Sequence, residues 1–239
     1  MINMGKDSFK RIEMKYVVSE EEKVVLLDEM RKHMELDAYC LNNQTYRVRN
    51  IYYDTPTNEM VSLSVAKPPF KQKVRARKYD GQEDVYLEIK TKSDGVVGKR
   101  RLALSQEELD NFIQNKTKPI RSSYIDNQVL DELSYLFSNY NLKPKTYISY
   151  LRLGLFDKND REFRITFDNQ IHARTTSFDW EDDSYESDLL EEGQYIMEIK
   201  TVKNLPLWLV RLLSKLEVFP CSFSKVGANY LNKLLEAQQ

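Results

Sequence analysis

Six segments of the chain alternate charged residues, mostly lysine, arginine and glutamate, with apolar ones. In KVRARKY, Lys73, Arg75 and Arg77 alternate with Val74 and Ala76, and in VYLEIKTK, Glu88, Lys90 and Lys92 oppose Leu87 and Ile89. KRRLALS sets Lys99 and Arg101 against Arg100, Leu102 and Leu104. EFRITFDNQI sets Arg164, Thr166 and Asp168 against Phe163, Ile165 and Phe167. QYIMEIKTV opposes Glu198 and Lys200 to Met197 and Ile199, and RIEMKYVV opposes Arg11, Glu13 and Lys15 to Ile12 and Met14. Successive side chains of a strand point to opposite faces, so each segment has one charged face and one apolar face. The charged mixture suits phosphate chemistry. Arginine and lysine bind phosphate oxygens by charge-assisted hydrogen bonds, and glutamates among them can hold a divalent cation that bridges phosphates. The plainer alternative is a solvated sheet face. That alternative suffices for any one strand, and six strands with the same mixture speak against it.

Other chemistries find little material. Two cysteines, Cys40 and Cys221, make neither a disulfide framework nor a thiolate zinc site. Two histidines, His33 and His172, leave little room for histidine metal sites or a Ser-His-Asp relay. Both read as structural or surface residues. Gly98-Lys99 is not a phosphate-binding loop, because Ser93 stands where its upstream glycine belongs. The 36 basic and 37 acidic residues nearly cancel, but they are segregated. Lys67 to Lys78 contains no acid, and Asp179 to Glu192 contains no base. The balance argues against a uniformly basic, sequence-specific nucleic-acid binder and leaves an anionic ligand open. The acidic run reads as a solvated loop.

The elements that must position these residues can be read from the same string. Ser19 with Glu22 and Ser105 with Glu108 are capping boxes that open helices. Val129, Leu130, Leu133, Leu136 and Phe137 have helical spacing, as do Leu207 to Leu216 and Val226 to Leu235. Asp80-Gly81 and Asp94-Gly95 read as hairpin turns that join three strands into a meander. Two further strand-like runs, YRVRNIYYDT and KTYISYLRLGLF, complete about eight strands. The expected fold is α+β, one domain over residues 1–239. If helices cover the apolar strand faces, the charged faces are left to face one another, so the expected sheet is antiparallel and closed into a barrel tunnel with the helices outside. Such a lumen would need a polyanion or a metal to balance it.

The strings RIEMKY, IYYDTP, KVRARKY, VYLEIKTK, GKRRLALS, YISYLRLGLFD, FRITFDNQI, MEIKT and SFSKVGANYL, in this order, resemble the VTC domain. That is the polyphosphate-polymerase branch of the triphosphate tunnel metalloenzymes, related to CYTH proteins. The resemblance runs from about Phe9 to about Leu231, and the segment from Asn58 to Phe70 matches no family string. It implies a tunnel in which the γ-phosphate of ATP is transferred to a growing polyphosphate chain with manganese, or magnesium, as cofactor. Carried over residue by residue, it implies catalytic roles for Lys15, Arg75, Arg77, Lys90, Arg152 and Lys200. It implies phosphate binding by Lys99, Arg101, Tyr150, Arg164, Ser224 and Lys225, with Asp168 on the Arg164 strand. Metal binding falls to Glu198, Glu13 and Glu88. Ser222 stands where eukaryotic polymerases carry a lysine.

Three functions fit the sequence: a polyphosphate polymerase, a tri- or polyphosphate hydrolase on the same framework, and a non-catalytic polyphosphate or nucleotide sensor. ATP or another triphosphate and polyphosphate are the expected partners. The N-terminal MINMGKDSFKR has no apolar core of a signal peptide, and no run reaches the roughly 18 apolar residues of a membrane span. A cytoplasmic location is expected.

Overall fold

The computed structural model describes residues 12–40, 45–94 and 96–238. Arg11 and Gly95, which figure in the sequence patterns, lie outside them. The chain sorts into two compact units: residues 1–45, 153–168 and 193–222, and residues 46–152, 169–192 and 223–239.

In the first unit, β1 (Ile12–Ser19) pairs antiparallel with β10 (Gln194–Thr201), and β10 pairs with the first half of β8 (Arg164–Arg174). The short β2 (Met34–Leu36) pairs with the end of β7 (Lys143–Asp157). Met14, Tyr16, Met197, Ile199, Ile165 and Phe167 share one face by register. The helix α1 (Glu20–His33) packs on β1 and β10 and buries Leu26 and Met30. Its capping box forms as read: Ser19 Oγ accepts from the Glu22 N–H, and the Glu22 carboxylate accepts from the Ser19 N–H. His33 stacks on Trp208 of α5 (Leu207–Lys215) with ring centroids 4.4 Å apart, a packing role.

In the second unit, the first part of β7 pairs with β3 (Tyr46–Asp54), then follow β4 (Phe70–Tyr79), β5 (Val85–Ser93) and β6 (Val96–Leu104), all antiparallel. The meander is the one expected, and Gly81 takes the positive φ of 75° that its turn requires. One face contributes Val74, Ala76, Leu87, Ile89, Leu102 and Leu104 to a core closed by α3 (Gln106–Gln114) and α4 (Tyr124–Asn139). Helices therefore cover the apolar strand face, as the alternation predicts. The helix α6 (Lys225–Glu236) starts at an N-cap, Ser224, whose hydroxyl accepts from the Gly227 N–H. The two-residue β9 (Ser187–Asp188) pairs with the second half of β8.

A helix not read from the sequence, α2 (Glu59–Ala66), fills the stretch without a family string. Its N-cap residue, Asn58, makes no capping bond, and the Thr55 hydroxyl accepts only the first N–H, that of Glu59, at 3.0 Å. The buried Asp54 instead accepts from the N–H groups of Thr55, Met60 and Val61 at 2.7–2.8 Å. Asp54→Ala leaves these buried donors unsatisfied. It is expected to cost about 2–3 kcal/mol in urea unfolding, whereas a loss under about 0.5 kcal/mol would show that the carboxylate does not anchor α2.

The fold is thus α+β with an antiparallel sheet and six helices among the described residues. The expected closure of the barrel is corrected. The hydrogen-bonded order is β1-β10-β8-β7-β3-β4-β5-β6, with β1 and β6 at its ends. The free side of β1 is taken by Cys221, whose N–H donates to the Lys15 carbonyl at 2.7 Å. β6 carries exposed Arg100 and Arg101, the kind of charged edge that resists further pairing. No helix among the described residues is long and apolar enough to cross a membrane.

Candidate functional site: a cation cluster and a carboxylate pair

The second unit holds the densest charge. Arg75 donates from Nε to Glu88 Oε2 at 2.7 Å and from Nη1 to the Tyr52 hydroxyl at 3.1 Å. Lys99 Nζ lies 2.5 Å from the other Glu88 oxygen. Glu88 itself is 1% exposed. The register explains the cluster: Arg75 stands opposite Glu88 on one side and Tyr52 on the other, and Glu88 stands opposite Arg101.

Arg77 is different. Its side chain is buried, yet its hydrogen bonds go to neutral oxygens: Nε to Asn50 Oδ1 at 2.8 Å, Nη1 to the Tyr79 hydroxyl at 3.3 Å and Nη2 to the Tyr150 hydroxyl at 3.1 Å. A guanidinium cannot shed its charge in a protein, and a buried cation without a carboxylate in hydrogen-bond contact favours an anion. Around the pair lie Lys73, whose ammonium donates to Ser224 Oγ at 3.0 Å, and Lys225, which sits 4.4 Å from the Tyr150 ring centroid. Arg152 donates to the Tyr150 hydroxyl at 3.4 Å. Arg101 lies over the Tyr86 ring, and Lys90 stands between Lys73 and Lys99 by register.

These contacts set the protonation of the cluster. Burial alone would raise the Glu88 carboxyl, but Arg75, Arg77 and Lys99 outweigh it and hold it well below the usual range. Burial, with help from Arg75 and Arg77 and against Glu88, brings Lys99 down to about 8. Burial would raise the Tyr52 phenol; Arg75, Arg77 and Lys73 together overcome it and bring it down to about 8. A bound polyanion favours the charged ammonium and the neutral phenol. Its affinity should therefore be high below about pH 8 and fall above it, by about tenfold per unit for each proton lost. Calorimetry with long-chain polyphosphate at about pH 7 and pH 9, whose mid-chain groups stay ionised throughout, checks this. An affinity that stays flat or rises would contradict it.

The first unit gathers a second set on one face of β1, β10 and β8. Glu13 stands opposite Lys200, Lys15 opposite Glu198, Glu198 opposite Thr166, and Lys200 opposite Arg164. Lys200 Nζ is 3.1 Å from Glu198, Lys15 Nζ is 3.7 Å from Glu13, and Arg164 reaches Asp37 at 3.4 Å. The signs alternate between β1 and β10, whereas β8 sets Arg164 beside Lys200, two cations side by side. Asp168 is fully buried.

For the metal that the family implies, Glu13 and Glu198 share this face as diagonal neighbours. The buried Thr166 Oγ1 opposite Glu198 has no hydrogen-bond partner among the described residues. This all-oxygen set fits a hard divalent ion that takes its remaining ligands from phosphate and water. No group of three or more His, Cys, Asp or Glu side chains among the described residues is arranged to hold an ion by itself. Glu88 belongs to the second unit, where both its oxygens face cations.

The sequence patterns do not single out Asn50, Tyr52 and Tyr79, the neutral groups that orient Arg75 and Arg77. The signal available for two of them was Asn50 and Tyr52 at alternate positions of β3, and so on one face of it.

In each unit an antiparallel sheet carries a face of lysine, arginine and glutamate opposite an apolar one, and this pattern defines the class. Solved structures that share this fold include the following two. A candidate adenylate cyclase from Bacillus halodurans is 15% identical, with 90% of this chain and 93% of that chain covered and a TM-score of 0.53. A candidate adenylyl cyclase from Hippeastrum, described as having a dominant triphosphatase activity, is 17% identical, with 90% and 92% covered and a TM-score of 0.52. At these identities the likeness speaks of fold alone. No curated protein matches this chain. The model of the VTC domain matches residues 10–231, and the chain belongs to the VTC domain family.

Proposed function

We propose that the protein is a metal-dependent phosphotransferase that builds polyphosphate from the γ-phosphate of ATP. The observation that carries this reading is Arg77: buried, hydrogen-bonded to neutral oxygens, and beside Arg75 on a face already rich in lysine. A phosphate chain supplies the missing counter-charge. In this reading Arg75, Arg77, Lys90 and Lys99 bind successive phosphates, and Arg101, Tyr150, Arg152, Ser224 and Lys225 extend or orient that set. Ser224 presents a hydroxyl and a helix N-terminus, both suited to phosphate oxygens. Lys15, Lys200 and Arg164 are the basic members of the first unit.

Glu13 and Glu198 would hold manganese or magnesium, which when bound neutralises phosphate oxygens and polarises the transferred group. The protein's own part is positioning and charge neutralisation, which is most of what phosphoryl transfer requires. Phosphate on the Arg75 side draws the guanidinium's second face, while Glu88 keeps the first in place. Lys99 enters as the ammonium.

The triphosphatase activity described for the Hippeastrum structure favours a second reading, in which water accepts the phosphoryl group. Reaction of ATP in heavy-oxygen water separates the two. Transfer to a phosphate chain leaves the mid-chain phosphate unlabelled, whereas hydrolysis puts one heavy oxygen into each phosphate released. Label in all of the product phosphate would overturn the polymerase reading.

A further inference from the structure

The second unit contains a cavity of about 420 Å³ between β3, β7, α2 and α6. Tyr52 belongs both to this cavity and to the cation cluster. Its ring lines the cavity, and its hydroxyl accepts from Arg75. The opposite wall is α6, whose first residues lie at the cluster because Ser224 accepts from Lys73; Asn229 and Tyr230 follow on the same helix.

The charged groups that line the cavity are already engaged. Both Asp54 oxygens accept backbone N–H groups, Lys145 donates to the Pro56 carbonyl at 2.9 Å, and Lys233 pairs with Glu186 at 3.1 Å. What remains of its lining is neutral: the aromatic residues Tyr52, Phe178 and Tyr230, Thr146, Asn58, and Asn229, whose Oδ1 accepts from the Ser187 hydroxyl at 3.3 Å. Rings suit stacking or edge contact with a flat heterocycle, and amides can pair with its donor and acceptor edge. The size lies within the usual range for small-ligand pockets, about 300–1,000 Å³. Another stretch of phosphate would find no uncommitted cation here.

We propose that this cavity seats the nucleoside of the nucleotide donor, with its phosphates running past Tyr52 onto Arg75 and Arg77. The inference rests on the phosphotransferase reading and adds to it a site that distinguishes a nucleotide from a bare phosphate chain. Tyr230 and Asn58 are then specificity-determining residues.

The test is calorimetric binding of ATP and of tripolyphosphate to the wild type, Tyr230→Ala and Asn58→Gly. Asn58 has a positive φ of 61°, so glycine removes the amide while keeping the backbone comfortable. A variant that melts like the wild type is informative by itself, and Asn58→Gly guards against loss of packing at Tyr230. The expected result is an ATP affinity reduced at least about tenfold, equivalent to about 1.4 kcal/mol, with tripolyphosphate unchanged. If ATP and tripolyphosphate weaken together, or ATP does not weaken in either variant, the nucleoside site is overturned. If the wild type binds tripolyphosphate but ATP no better, the cavity is likewise excluded and the phosphate-binding face stands. If the wild type binds neither, the phosphotransferase reading fails, and this inference with it.

Discussion

Changing Arg75 and Arg77 together to alanine is expected to abolish the stabilisation that a phosphate chain gives the wild type. With tripolyphosphate at a hundred times its dissociation constant, the wild-type protein should gain about 2.7 kcal/mol. The double variant should gain nothing measurable and should lose turnover by at least about a thousandfold, since two charge-assisted contacts on the reacting chain disappear. The apo variant faces two opposing changes. Removal of Arg77 relieves a buried cation with neutral partners, and removal of Arg75 leaves the buried Glu88 with Lys99 alone. Its own melting temperature is therefore a poor readout, and the ligand-induced shift is the informative one. Sulfate at matched ionic strength is the control. Equal stabilisation by sulfate, or an undiminished response in the double variant, would mean that the two arginines form only a solvated basic face.

The second large effect lies away from the basic face. Arg174 is fully buried, sits 3.5 Å from the Tyr147 ring centroid and donates to the carbonyls of Ser177, Asp179, Asp182 and Ser184. It ties the acidic segment around itself, helped by Glu186, which accepts from Thr175 and Thr176, and by Trp180 in the core. Arg174→Met keeps much of the side chain's bulk but leaves four carbonyls without their donor. A loss of about 3–5 kcal/mol in urea unfolding is expected, with proteolysis appearing within residues 175–186. A loss under about 1 kcal/mol would show that the segment is held by its other contacts.

The legible parts of this protein are those with local causes. Alternation in KVRARKY and VYLEIKTK follows directly from strand geometry, and it placed Arg75, Arg77 and Glu88 on one face and Val74, Leu87 and Ile89 on the other. The capping boxes at Ser19 and Ser105 are closed within three residues, so they too can be read from the string. The helix α2 could not be read, because the groups that satisfy its N-terminus, Asp54 and Thr55, lie four or more residues before it. The order around Arg174 was equally hidden: its acceptors are carbonyls, which every residue carries, so Asp179 to Glu192 looked like a solvated loop. Asn50 and Tyr52 depend on which residue of β3 meets which residue of β4, a register that no local pattern fixes. Closure of the sheet was inferred from helices covering the apolar strand faces, which left the charged faces to face one another and their charge in need of balance. Pairs such as Lys200 with Glu198, and Glu88 with Arg75 and Lys99, meet much of that need within each unit.

The central claim is that this chain transfers phosphate from ATP to a phosphate chain. The most direct test incubates the purified protein with ATP and manganese and resolves the products on a polyacrylamide gel stained for polyphosphate, with free phosphate measured in parallel. The account predicts a lengthening polyphosphate ladder formed together with ADP, little free phosphate, and no ladder from the Arg75→Ala/Arg77→Ala protein. Free phosphate without any ladder, or a ladder of equal strength from the double variant, would contradict it.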